Sequence, residues 1–204
     1  MSFADISRLV IATRNPGKLR EFRSLLAETG WQVLGLSDAG VKGDPEETGT
    51  TFAENARLKA VACSLETPMP VLADDSGLEV FALGGRPGIR SARYAGEGAA
   101  DSQRIARVLG DLELAGDGRS ARFVCALALA RRGRLLLEVE GECRGEITRE
   151  PRGNNGFGYD PIFYLPELSR TYAELDEQEK NRVSHRARAV EALLARLAGG
   201  VDLG

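Results

Sequence analysis

Histidine and cysteine are scarce in this chain: His185 stands alone, and the thiols are Cys63, Cys125 and Cys143. The three cysteines are far apart, odd in number and form no CxxC pair. A zinc site of cysteine and histidine ligands is therefore not expected, and free thiols fit a reducing cytoplasm. No apolar run approaches the ~18 residues of a membrane span. The opening MSFADISRLV lacks the basic stretch and long apolar run of a signal peptide. There is no basic excess either, with 27 Lys and Arg against 30 Asp and Glu and a net charge of −3. Bulk nucleic-acid binding favours a positive surface, so it is not expected. A small anionic ligand needs only a few well-placed cations. No internal repeat, low-complexity stretch or long linker occurs, and a chain of 204 residues is expected to form a single domain over 1–204.

Hydrophobic residues make up 43% and charged residues 28%, an ordinary globular balance. Leu9-Val10-Ile11-Ala12 reads as a short strand, broken by Thr13-Arg14-Asn15-Pro16-Gly17. A helix follows with Leu19, Phe22, Leu25 and Leu26 on one face and Gly30 as its stop. Thr51 and Glu54 read as a capping box opening a helix that runs to about Leu65. Val71-Leu72-Ala73 is a buried strand expected to stop at Asp74-Asp75-Ser76-Gly77, with a second strand over 78–83. A helix near Ala100 is expected to bury Ile105, Val108 and Leu109. Residues 121–130 are apolar on both faces, as in a central strand, and Arg131-Arg132-Gly133-Arg134 turns them into a hairpin. Residues 184–197 read as a helix burying Ala187, Val190, Leu194 and Leu197. Interleaved helices and strands with an antiparallel hairpin predict an α/β fold with a mixed twisted sheet and flanking helices.

Five segments carry groups that can do chemistry. Thr13-Arg14-Asn15-Pro16-Gly17-Lys18, between a buried strand and a helix start, offers backbone N–H groups, a helix dipole and an ammonium to phosphates. It lacks the P-loop spacing, and a surface turn with a solvated lysine is the plainer alternative. Asp74 and Asp75, ending an apolar strand, are costly side by side unless a cation or donors compensate. Hard oxygen ligands without a histidine cluster point to Mg2+; an Asx turn is the alternative. The acidic loop Asp44-Pro45-Glu46-Glu47-Thr48-Gly49 can add a carboxylate to the same ion. The segment from Gly153 to Pro161 combines glycines that allow close approach to a ligand, the rings of Phe157 and Tyr159, and the acceptors of Asp160. Lys180, His185 and Arg186 lie ahead of or within the last helix.

In this order the segments resemble the inosine triphosphate pyrophosphatase family, the non-standard purine NTP pyrophosphatases. The motifs are IATRNPGKLREF, EETGTTFAENARLKA, ADDSGLEV, GRPGIRSARYAG, GEITREP, GFGYDPIF and EKNRVSHRARA, spread over 10–194. The resemblance implies an elongated two-lobed α/β domain with a central substrate cleft, usually a homodimer. The implied reaction is Mg2+-dependent hydrolysis of ITP, dITP or XTP to the monophosphate and pyrophosphate. It further implies that Thr13, Arg14, Asn15, Pro16, Gly17 and Lys18 grip phosphate. Asp75 would hold Mg2+ and act as general base or position the water, with Glu46 or Glu47 as a second metal ligand. Ser76 would contact the substrate, and Phe157, Gly158, Tyr159 and Asp160 would line the nucleoside pocket. Lys180, His185 and Arg186 would complete the site around base and phosphates. The partner expected is a small nucleotide, with neither nucleic acid nor membrane. Arg14 and Asn155 depart from residues frequent in the family, and neither removes a charged group. A nucleotide-binding module without turnover, or a related pyrophosphatase with another base preference, are the competing readings.

Overall fold

A computed structural model describes residues 6–43 and 45–200; Asp44 of the acidic loop lies outside them. The strands are β1 Arg8–Ala12, β2 Gln32–Gly35, β3 Val71–Val80, β4 Ser120–Arg131, β5 Arg134–Ile147, β6 Phe163–Leu165 and β7 Arg170–Thr171. The α-helices are α1 Pro16–Leu25, α2 Phe52–Ser64, α3 Asp101–Ala115, α4 Glu177–Val183 and α5 His185–Ala198. The strands form one sheet in the order β2-β1-β3-β4-β5-β6-β7. β1 pairs in parallel with β2 (Val10 opposite Leu34) and with β3 (Ile11 opposite Leu72). The far edge is antiparallel, with Ile147 opposite Phe163 and Tyr164 opposite Thr171. The sheet is thus mixed and the fold α/β, as expected. Parallel pairs need helical crossovers, and α1 and α2 supply them after β1. The β4–β5 connection is a two-residue turn. Arg132 and Gly133 both have positive φ, 51° and 78°, the backbone that matches the twist of a hairpin.

The chain divides into two compact units. The first comprises Met1–Asp75, Cys125–Gly141 and Arg186–Gly204, the second Ser76–Val124 and Glu142–His185. The core of the first includes Leu9, Ile11, Phe22, Leu72, Leu127, Leu129, Val190 and Leu193. That of the second includes Leu78, Val80, Ile105, Val108, Phe123, Phe163 and Tyr172. Each large apolar side chain removed from water contributes about 1.5–3 kcal/mol. Among the described residues no helix is long and apolar enough to cross a membrane.

Several local expectations are corrected. β3 does not stop at Asp74; it runs on through both aspartates to Val80, because each acid finds partners inside. Phe81–Leu83 then forms a 3-10 turn instead of more strand. Thr51 caps α2 by accepting from the Glu54 N–H (3.1 Å), but the Glu54 carboxylate reaches back to the N–H and hydroxyl of Thr50 (2.7 and 2.9 Å). α3 buries Leu112 with Ile105 and Val108, leaving Leu109 half-buried. α5 buries Ala189, Val190, Leu193 and Leu197, with Ala187 and Leu194 only partly covered. α4 was not anticipated, although Asp176 and Glu179 form a reciprocal capping box at its start (2.8 and 3.0 Å).

Leu127 of β4 is 1% exposed within the first core. Leu127→Ala should therefore lower stability by about 2–5 kcal/mol. A urea titration checks this as a lowered midpoint with an unchanged slope.

Candidate active site

The loop after β1 is tightly built. Asn15 caps α1, its Oδ1 accepting from the N–H groups of Gly17 (2.8 Å) and Lys18 (3.1 Å). Pro16 occupies the first helical position, where the missing N–H leaves no intrahelical bond unmade. Thr13 Oγ1 accepts from the Asn15 N–H at 3.2 Å. Two first-turn N–H groups expected to face an anion are thus already engaged by Asn15. Arg14 is exposed and its guanidinium donates to the Lys42 carbonyl at 2.9 Å. Lys18 turns inward, its ammonium against Asp74 Oδ1.

Asp74 and Asp75 are neighbours in a strand, so their side chains leave on opposite faces. The mutual repulsion expected from the sequence is avoided by that alternation. Asp74 is 1% exposed. Its carboxylate meets Lys18 on one oxygen; the other faces Arg186 Nη2 at 3.5 Å and accepts from the Cys125 thiol at 3.3 Å. Burial alone would raise its pKa, but the charges of Lys18 and Arg186 outweigh this and hold it far below the usual carboxylate range. Arg186, also buried, pairs through Nη1 with Glu21 and lies over the Phe22 ring, 5.6 Å from its centroid. The same carboxylate that Arg186 supports pushes the Cys125 thiol upward, after burial itself.

Asp75 has a different setting. Its Oδ2 accepts from the Asn55 amide at 3.1 Å. Burial, then the negative charge of Glu47, raises its pKa to about 6, against the opposing pull of Lys59, Lys18 and the Asn55 bond. Glu47 is half-buried and paired with Lys59 at 2.6 Å, whereas Glu46 is exposed. Lys59 also donates to the Asp74 carbonyl at 3.2 Å. Asn55 accepts from the Gly49 N–H at 2.8 Å. The acidic loop is therefore tied to β3 through two side chains of α2, one turn apart.

In the second unit Asp160 and Lys180 form a buried pair at 2.5 Å, and Asp160 accepts from the Phe157 N–H at 2.9 Å. The Lys180 ammonium lies 5.1 Å from the Phe157 ring centroid and 5.4 Å from that of Tyr172. Gly158 donates to Asp101 at 2.7 Å. Tyr159 belongs to the core; its hydroxyl donates to the Ser91 carbonyl at 2.8 Å, and burial raises its pKa. His185 is buried and stacks on Phe123, with centroids 4.6 Å apart and planes 12° from parallel. Ser76 is half-buried in β3.

Sequence reasoning missed Asn55, Lys59 and Glu21, and it did not see Asp74 as the anchor of Lys18 and Arg186. Two of these had a signal. Asn55 and Lys59 share the α2 face of buried Ala56, Ala60 and Cys63, and polar groups on an apolar face ask for partners.

A mixed α/β sheet whose β3 carries ionised groups into the interior defines the class: an α/β protein with a polar centre built into its core. The chain belongs to the Ham1 family, whose model matches residues 9–196. A relative from Gloeobacter violaceus, named dITP/XTP pyrophosphatase, is 58% identical over 94% of this chain and 95% of its own. One of the same name from Geobacillus kaustophilus is 54% identical over 92% and 93%. The structure of a HAM1 protein from Coxiella burnetii superimposes with a TM-score of 0.86 at 47% identity, covering 96% of this chain and all of the other. The Ham1 protein of Staphylococcus aureus gives 0.83 at 44% identity, covering 94% and 98%.

With a folded pKa of about 6, against about 3.9 for an unperturbed aspartate, Asp75 binds a proton more readily folded than unfolded. Between those values its contribution to stability falls as pH rises, and it stays unfavourable above them. In the absence of divalent cations Asp75→Asn should stabilise the protein by about 2–3 kcal/mol at pH 7.5. It should change little at pH 4, where the native acid is already protonated. Urea melts at the two pH values check the sign.

Proposed function

We propose that this chain is a Mg2+-dependent hydrolase that converts non-standard purine nucleoside triphosphates (ITP, dITP, XTP) to the monophosphate and pyrophosphate. The observation that carries the chemistry is Asp75: a buried carboxylate, held by Asn55, near Glu47, with its pKa brought up to about 6. The substrate class rests on relatives at 58% and 54% identity that bear the name dITP/XTP pyrophosphatase.

Asp75 and Glu47 fit a hard divalent ion. Burial and mutual repulsion both oppose ionisation of Asp75, and a cation would relieve both. Among the described residues no three metal-binding side chains cluster into a full cage. Mg2+ suits such a place, since it commonly takes one or two carboxylates and completes its shell with water and phosphate oxygens. When bound it would neutralise phosphate charge and polarise the scissile linkage. Glu47 is preferred to the exposed Glu46 because it lies close enough to Asp75 to shift it.

Water would attack the α-phosphorus, the bond from that phosphorus to the bridging oxygen would break, and pyrophosphate would leave with the bond's electron pair. Asp75 would hold the ion and orient the water, accepting its proton as the bond to phosphorus forms. Lys18 would meet the phosphates, its ammonium oriented by Asp74. Thr13, Arg14, Asn15, Pro16 and Gly17 would shape that loop. Phe157 would offer a face for the base, and Lys180, buried against Asp160, would hold that segment. Gly158, Tyr159 and Asp160 would shape the same segment, and the family resemblance adds Ser76 and His185 as substrate contacts. Arg186 acts in this reading chiefly by holding Asp74. A cytoplasmic homodimer completes the reading, supported by the family resemblance.

The purified protein with Mg2+ should release pyrophosphate from ITP and XTP and little from ATP, GTP or dTTP. Asp75→Asn should lose about 10²–10⁴ in turnover while still binding nucleotide. Orthophosphate as the first product, or an active Asp75→Asn variant, would overturn the mechanism. Binding without any product would favour a nucleotide-binding module.

A further inference from the structure

Asn55 is 0% exposed on the inward face of α2. Its amide has two dissimilar ends, and each meets a partner that accepts only one of them. The carboxylate of Asp75 can only accept when ionised, and it receives the Nδ2–H at 3.1 Å. The Gly49 N–H can only donate, and it is received by Oδ1 at 2.8 Å. The two partners thus fix the orientation of the amide. Gly49 closes in so far that a Cβ there would stand 2.7 Å from Asn55 Oδ1 and 2.7 Å from the Glu54 Cβ. The residue must therefore be glycine for the loop to reach the amide. Two residues earlier in that loop is Glu47, tied by Lys59 at 2.6 Å one helical turn beyond Asn55.

We propose that Asn55 is a positioning residue for the divalent cation: it clamps the loop that carries Glu47 to the carboxylate of Asp75, so that the two oxygen ligands are set before the ion arrives. This rests on the metal reading of the preceding subsection. Asn55 touches neither ion nor substrate; it acts through Asp75 and the loop. Partners of metal ligands commonly change affinity 10- to 100-fold when removed.

The test is direct binding of Mn2+ to the nucleotide-free protein, read from the electron paramagnetic resonance signal of unbound Mn2+, with melting temperatures alongside. Asn55→Ala, kept well below its melting temperature, should bind Mn2+ at least 10-fold more weakly than the unaltered protein. Gly49→Ala strikes the other end of the clamp without removing the bond to Asp75, and stays informative if Asn55→Ala does not fold. It too should weaken Mn2+ binding about 10-fold. The double variant should be little weaker than the poorer single one, because both break one device. If either folded variant bound Mn2+ within twofold of the unaltered protein while melting lower, the residues would only pack, and the positioning role would be overturned. If the unaltered protein bound no Mn2+ either alone or with a slowly hydrolysed nucleoside triphosphate analogue, the metal reading itself would fall, and this inference with it.

Discussion

A carboxylate can be taken out of water only if positive charge goes with it, and the first unit is arranged around that requirement at Asp74. The residue lies in a buried strand, and its cations come from far along the chain: Lys18 from the first turn of α1, and Arg186, 112 positions away, from the first turn of α5. Arg186 in turn needs Glu21. The starts of two helices and the middle of β3 are thereby held in one electrostatic arrangement. Such a network is a poor source of net stability, since well-packed apolar residues often do as well. Its retention is better understood through what it orients, above all the ammonium of Lys18.

The alternation of side chains along β3 then lets neighbouring residues serve opposite ends. Asp74 faces cations and stays ionised at any ordinary pH. Asp75, one residue on and across the strand, is buried beside the negative charge of Glu47, and its affinity for a proton rises despite the bond from Asn55. The difference comes from the direction in which each side chain leaves the backbone. A turn at this place, which the sequence suggested, would have put both acids into water and erased it.

What was legible in the sequence followed from local physics. The run Leu9-Val10-Ile11-Ala12, its break over Thr13 to Gly17, the two-sided apolar stretch of β4 and the Arg132-Gly133 turn are all read within a few residues. What was not legible depended on partners distant in sequence. Nothing near Asp74 announces Lys18 or Arg186, so a strand running through two acids looked unfavourable. Glu46 and Glu47 are indistinguishable as letters; only the path of the loop, fixed by Gly49 and Asn55, brings one of them near Asp75. α4 is the exception, because its capping residues Asp176 and Glu179 stood in plain view, and the polar character of the segment hid a helix whose buried member is Lys180.

The charge balance of the first unit bears on the kind of ligand it can hold. Four carboxylates, Glu21, Glu47, Asp74 and Asp75, share three cations, Lys18, Lys59 and Arg186. Among these seven groups alone, one negative charge is in excess when all are ionised, and the charge of Glu47 adds to the burial that raises the pKa of Asp75. A polyanion approaching such a network alone would be repelled by it. A divalent cation held there would reverse the sign, leaving one positive charge in excess, and would oppose protonation of Asp75. In the proposed reading a triphosphate would therefore meet this centre in company with a metal ion, which accords with a chain that has no basic excess.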